Sequence, residues 1–281
     1  MIYTLISDLN LNNSLIDNNI NQSLNETIKS HQNRDCRILR QPLSLLTEDI
    51  IKFIKETKND KIRAERQLAY TTLLCGLRTF FDVEKCIIEK TPDGKPYVTV
   101  KSVITDENKK YQKNEDLTCE IYSHQKNVVS SSNFNVIGDK DQKHKKLFIS
   151  ISHSDGAVAV SMSDEGEIGV DIQREISDEI AEKLNKRFIR NLNTSVTSFN
   201  ANYYYCKIDD NEAQIIRIDL SDAEAYEFTS KWSLSEATLK LHGRGFGDLS
   251  RLDDLITISK TEIKKMNNGS FSFIVATSIC R

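Results

Sequence analysis

The stretch from Leu147 to Gln173 constrains the fold more than any other part of the chain. It holds three short strand-like runs, Leu147–Ser152, Ala157–Met162 and Glu167–Gln173. The turn Ser154-Asp155-Gly156 and the four-residue loop Ser163-Asp164-Glu165-Gly166 divide them. Runs this short and this close predict antiparallel pairing, with Glu167–Gln173 returning along Ala157–Met162. That register sets Asp171 beside Val158, a few residues past His153. Helical spacing of apolar residues appears elsewhere, over Leu46–Lys55 and more regularly over Ile62–Phe81, where Leu68, Thr72, Leu73 and Leu77 keep to one side. Helices are also expected over Ser177–Arg190 and Tyr226–Leu241, and strands over residues 1–9, Gln214–Ile218, Leu255–Ser259 and Ser270–Ser278. Strands and helices are mixed without strict alternation, which predicts an α+β fold.

At 281 residues the chain is long enough for two domains, or for one large domain with insertions. Asn10–Asn25 is an Asn-rich surface loop, and Lys90–Tyr97 is a turn cluster with two prolines and a glycine. Residues 101–146 and 191–223 are polar excursions, read most simply as solvated surface; the first contains one strand-like run, Asn127–Ser130. A formal charge of −3 argues against a general nucleic-acid binder, which needs a basic excess, but leaves room for a local basic pocket. No run approaches the ~18 apolar residues of a membrane span. The first residues show neither a basic region nor a small-residue cleavage site, so no secretory signal is expected. Six scattered cysteines without a C-x-x-C pair read as reduced, mostly buried thiols of a cytoplasmic protein, and offer no zinc-ligand spacing.

Two segments can carry chemistry. In a strand, Gly169, Asp171 and Gln173 share one face and Ile168, Val170 and Ile172 the other, so two oxygen-bearing side chains stand roughly 7 Å apart at a ~3.4 Å rise per residue. Oxygen ligands so placed suit Mg²⁺, which keeps waters and substrate phosphates. Gly169 leaves room for a ligand to approach. An aspartate at a strand end making an ordinary turn hydrogen bond is the plainer alternative. The second segment is Trp232-Ser233-Leu234-Ser235-Glu236-Ala237-Thr238-Leu239-Lys240. Glu236 and Lys240 share a helix face, so a carboxylate for a cation or proton sits beside an ammonium for phosphoryl oxygens. Two plainer readings compete: Ser233 with Glu236 as a capping box, and Glu236 with Lys240 as a surface pair. Gly243-Arg244-Gly245 is a helix stop.

Taken in order, these blocks resemble the 4′-phosphopantetheinyl transferases, in particular the two-subdomain group typified by the surfactin-synthetase-activating enzyme. The likeness rests on Gly94-Lys95-Pro96, Ser150-Ile151-Ser152-His153-Ser154, Ile168-Gly169-Val170-Asp171-Ile172-Gln173 and Trp232 through Gly245. It covers residues 94–97, 147–190 and 226–246, more loosely 62–80, and neither polar excursion. The resemblance implies two similar α+β subdomains related by a pseudo-twofold axis, 1–164 and 165–281, with the active site at their interface. It implies a monomer that moves phosphopantetheine from coenzyme A to a serine of an apo acyl or peptidyl carrier protein, with Mg²⁺ (or Mn²⁺) as cofactor and 3′,5′-ADP as product.

Residue by residue, the likeness makes Asp171 a principal Mg²⁺ ligand and Glu236 a ligand, direct or through water, that also takes the serine proton. Gln173 stands at a third ligand position. Lys240 and His153 would contact coenzyme A phosphates, with Ser152 beside them, and Lys95 within the Gly94–Pro96 turn would line the nucleotide site. Arg66 or Arg63 would meet the 3′-phosphate, unless both are ordinary surface charges. The helix Ser177–Arg190, with Lys183, Lys186, Arg187 and Phe188, is the candidate face for an acidic carrier protein, or simply a solvated amphipathic helix. The sequence departs from the pattern at Ser235, where lysine is usual and which Lys231 one turn earlier is expected to offset, and at Gln173, where glutamate is common.

These departures motivate the rival reading, a catalytically weakened homologue that binds coenzyme A or carrier protein. A Mg²⁺-dependent nuclease fits less well, because E-x-x-x-K here lies on a helix and the net charge is acidic. A serine hydrolase on Ser152 or Ser154 with His153 is disfavoured, because adjacent residues do not easily form the required hydrogen bond.

Overall fold

A computed structural model of the chain describes residues 1–9, 36–40, 42–83, 86–90, 95–100, 145–188, 196, 199, 201–209, 211–224, 227–244, 252–268 and 271–280. The expected loop Asn10–Asn25 and the strand-like run Asn127–Ser130 lie outside them. The fold is α+β, with two layers of strands, one mixed and one antiparallel, flanked by helices. Strands β1 (Ile2–Asp8), β2 (Cys36–Arg40), β3 (Cys86–Lys90), β4 (Pro96–Val100), β5 (Lys145–Ser154), β6 (Ala157–Ser163), β8 (Asn202–Ile208) and β9 (Glu212–Arg217) form one sheet, in the order β2-β9-β8-β1-β6-β5-β4-β3. Every pair in it is antiparallel except β1 with β8. A second, antiparallel sheet runs β10 (Ser221–Asp222), β11 (Ser259–Asn268), β12 (Phe271–Cys280), β7 (Ile168–Arg174).

Helix α1 (Glu48–Lys55) begins at Thr47, whose hydroxyl accepts from the Ile50 amide, and α2 (Asp60–Phe81) begins at Asn59, whose side chain accepts from the Ile62 amide. The stripe read from the sequence on α2 is buried: Leu68, Leu73 and Leu77 share a core with Leu5, Val160 and Met162 of the first sheet, and the Thr72 hydroxyl meets that of Ser7 on β1 (2.9 Å). Between the sheets lie Ile6, Ala157, Ala159, Val170, Ile172, Phe273 and Val275. On the far side of the second sheet, Leu234 and Leu239 of α4 (Phe228–Leu241) meet Ile263 and Ile274, together with Leu252 and Ile256 of α5 (Leu252–Thr257). Helix α3 (Asp178–Phe188) connects β7 toward the β8–β9 hairpin.

Several expectations change. One is kept: the Asp-Gly turn joins β5 to β6 as expected, with Asp155 and Gly156 both at positive φ (49° and 92°). Both neighbours of β6 are taken, by β5 and β1, so Ala157–Met162 does not pair with the strand carrying Asp171; after Ser163 the chain crosses to the other sheet, where Asp171 lies opposite Ala276. The segment 191–223 is not simply a polar excursion. It carries β8, paired with β1, and β9, paired with β8, whose Tyr203, Tyr205, Cys206, Ala213, Ile215 and Ile216 are buried. The first sheet therefore draws strands from both sides of residue 164. Leu255–Ser259 is mostly the end of α5 rather than a strand, and β11 starts at Ser259. Among the described residues no helix is long and apolar enough to cross a membrane. Among the described residues Cys75, Cys86 and Cys206 are buried and Cys280 is exposed, none of them in a disulfide.

Candidate functional site

The two sheets meet at β5 and β7 without a backbone ladder between them. The serines that alternate along β5 take its place: Ser150 Oγ accepts from the Val170 amide (3.0 Å), Ser152 Oγ donates to Asp171 Oδ1 (2.8 Å) and Ser154 Oγ accepts from the Arg174 amide (3.3 Å). Short hydroxyls at i, i+2 and i+4 stand on one strand face and bring β7 close. Asp171 is thereby sealed in, about 1 % exposed.

Helix α4 lies directly on β7, and Gly169 permits it. A Cβ there would stand 2.0 Å from the Ala237 carbonyl oxygen and 2.6 Å from the Leu241 amide nitrogen. The space that the sequence reading reserved for a ligand is filled by helix backbone. This contact brings Lys240 to Asp171: its Nζ donates to Asp171 Oδ1 (2.9 Å) and Ser152 Oγ (2.8 Å), and stands 3.3 Å from Glu236 Oε2. The helix then stops in a Schellman arrangement, with Gly243 at φ 65°, the Arg244 amide on the Leu239 carbonyl and the Gly243 amide on the Lys240 carbonyl. The capping-box reading fails, since α4 begins at Glu227 and Ser233 is buried mid-helix.

Charge is concentrated here. Burial drives Glu236 up, the adjoining Asp171 carboxylate adds to it, and Lys240 offsets only part, leaving Glu236 at about 8. Burial also pushes Asp171 upward, but the Lys240 charge and the hydrogen bonds it receives outweigh that and hold it below the usual range. Burial works against the Lys240 ammonium, yet its two carboxylate neighbours keep it above its ordinary value. Asp171 Oδ2 is buried without a hydrogen-bond partner. Two adjoining carboxyl groups, one oxygen orphaned and only one cation between them, fit a hard divalent ion whose remaining positions go to water and phosphate. Among the described residues no group of three or more His, Cys, Asp or Glu side chains gathers into a complete protein cage.

Beside this cluster opens a cavity of about 470 Å³. Arg66, Lys95, His153, Lys240 and Arg244 line it, with Phe53, Tyr70, Ile149 and Ile151 as apolar wall and Pro96 at its rim. Carboxylates pair with three of these bases: Lys240 as above, Lys95 with Glu167 (2.5 Å) and His153 with Glu65 (2.7 Å). Arg66 donates to Thr57 Oγ1 (2.8 Å) while its guanidinium lies 5.0 Å from the centre of the Phe53 ring. A cavity with five bases and aromatic surface suits an anion that also carries apolar or ring-shaped parts.

Of the residues singled out by sequence, Asp171, Glu236, Lys240 and Ser152 converge on one point, and His153, Lys95, Pro96 and Arg66 line the adjoining cavity. Gly94 lies outside the described residues. Gln173 turns its amide to the Arg174 carbonyl (3.2 Å), which places no third ligand against Asp171. Arg63 is held by Asp60 and the Thr57 carbonyl rather than the cavity. Lys231 lies one turn before Ser235 on α4 and is not among the side chains that line the cavity. Ser235 itself is fully buried with its hydroxyl on the Lys231 carbonyl. On α3, Lys183 pairs with Glu179, and the side chains of Lys186, Arg187 and Phe188 lie outside the described residues. Sequence reasoning missed Glu65, Phe53, Tyr70 and Arg244. The i, i+4 spacing of Arg66 and Tyr70 was the one available signal. No family model matches the chain, and no curated protein matches it significantly.

Proposed function

We propose that the chain is a 4′-phosphopantetheinyl transferase, with coenzyme A and an apo acyl or peptidyl carrier protein as substrates. One observation carries the reading: Asp171, Glu236 and Lys240 meet at the edge of a five-base cavity with an aromatic wall. Coenzyme A matches that pairing, being a polyanion with a ring at one end and a long thin arm at the other. Asp171 and Glu236 would hold Mg²⁺. When bound, the ion supplies charge neutralisation on the phosphoryl oxygens and the departing ADP.

The serine hydroxyl attacks the phosphorus that bears pantetheine. The bond from that phosphorus to the bridging oxygen breaks, and 3′,5′-ADP leaves with the electron pair. Glu236 accepts the serine proton, a task for its ionised form. Lys240 supplies positive charge to the oxygens that gain it, so catalysis rests on positioning and electrostatics. Ser152 and His153 cannot act as a hydrolase pair, because adjacent residues of β5 point to opposite faces: one to Asp171, the other to Glu65.

The test is mass spectrometry of apo carrier protein incubated with this protein, coenzyme A and Mg²⁺. The expected result is a phosphopantetheine adduct on one serine, with Glu236→Gln lowering the rate by about 10²–10⁴ as for loss of a general base. Coenzyme A bound tightly with carrier protein left unmodified would instead favour the weakened homologue, to which the turned-away Gln173 points.

A further inference from the structure

Glu65 is a buried carboxylate that the reaction above does not use. It is about 3 % exposed, in the first half of α2, and both of its oxygens are engaged. Oε1 accepts from the Gly156 amide (2.8 Å) and Oε2 lies 2.7 Å from His153 Nδ1. Four residues earlier, Lys61 pairs with Asp155, which Arg174 also holds. Helix α2 therefore grips the β5–β6 turn at Asp155, Gly156 and His153 together, and the next residue on the helix, Arg66, lines the cavity.

We propose that Glu65 is a positioning residue that makes His153 an anion-binding donor of the cavity. The inference rests on reading that cavity as a phosphate site. An ionised carboxylate can only accept, so Nδ1 must carry a proton. Nε2, on the opposite side of the ring, is left for the cavity that His153 lines, and its side chain is 40 % exposed. A phosphate oxygen arriving there is also an acceptor, so only an imidazole that donates from both nitrogens satisfies the carboxylate and the phosphate together. The carboxylate thus fixes the ring and decides which nitrogen faces the ligand.

Long-range ¹H–¹⁵N correlation on the full-length protein with labelled histidine tests this, with inorganic pyrophosphate and then coenzyme A as probes. The free protein should show His153 protonated at Nδ1, and pyrophosphate should shift its Nε2 signal. In Glu65→Gln the amide carbonyl can still accept from Gly156, which turns its NH₂ toward Nδ1. The ring should then change to the Nε2–H tautomer, a donor without a positive charge, and pyrophosphate affinity should fall about tenfold with the loss of that charge. A Glu65 that only braced the fold would leave the tautomer unchanged. A wild-type Nδ1 without a proton, an Nε2 indifferent to pyrophosphate, or equal affinity in the variant would each overturn the proposal. The first two need no variant, so misfolding of Glu65→Gln does not shield it. Pyrophosphate bound in this way but coenzyme A refused would sink the transferase reading and leave this inference standing.

Discussion

Lys240 bridges two carboxylates that would otherwise repel, and one ammonium does not satisfy both. Burial, and after it the Asp171 carboxylate alongside, raise Glu236 to about 8 from a usual 4.5. Between those values the folded protein holds a proton that the unfolded chain releases, so the contribution of Glu236 to stability falls as pH rises from 4.5 toward 8. The slope for one proton is at most about 1.4 kcal/mol per pH unit. The shift at Asp171 is downward from 3.8 and acts below this window, so the two do not cancel. In metal-free protein, denaturation from pH 5 to 8 should show wild type losing stability relative to Glu236→Gln. Saturating Mg²⁺ should flatten the difference, because the ion favours the ionised carboxylates. Parallel profiles with and without Mg²⁺ would mean that Glu236 neither titrates here nor binds the ion.

Elements, more than residues, explain what could be read in advance. Asp171, Glu236 and Lys240 were legible because each lies in a regular element whose period fixes its face. The partner of β7 was not, since a short loop after a strand is compatible with a hairpin or with a step to another sheet. Here the choice is settled by β1, some 150 residues away in sequence, which takes the free edge of β6. For the same reason His153 was expected beside Asp171, whereas alternation along β5 puts Ser152 there. Glu65 carried no local signal at all, its partner being 88 residues further on. The role of Gly169 was also misplaced, and its correction is testable. Adding one methyl would drive a Cβ into α4 backbone, with no flexible side chain to yield. Gly169→Ala should cost about 1–3 kcal/mol or more in chemical denaturation, as overpacking does. It should also weaken Mg²⁺ binding by pushing Lys240 and Glu236 off Asp171. By contrast, a Cβ at Gly76 meets the tip of Met162 at 2.4 Å, a side chain able to move, and Gly76→Ala should be milder. Equal costs at the two positions would contradict this account of how α4 is seated.

At the scale of the whole molecule, the candidate site belongs to no single layer. Phe53 and Arg66 come from the helices on the first sheet, His153 and Ser152 from β5, Asp171 from the second sheet, and Lys240 from the helix beyond it. A ligand spanning the cavity therefore ties all the layers together, and its binding free energy should appear in the unfolding of every one. The chain has a single tryptophan, Trp232 on α4, whose fluorescence reports the outermost layer alone, while far-ultraviolet circular dichroism averages over all strands and helices. With Mg²⁺ and coenzyme A at about a hundred times the dissociation constant, stability should rise by about 2.7 kcal/mol. Both probes should shift by the same amount and their transitions should coincide. If Trp232 alone shifted, ligand would be binding to α4 and β7 without engaging α2. The cavity wall of Arg66, Phe53 and Tyr70 would then have no part in recognition, and the ligand's ring would have to be held elsewhere.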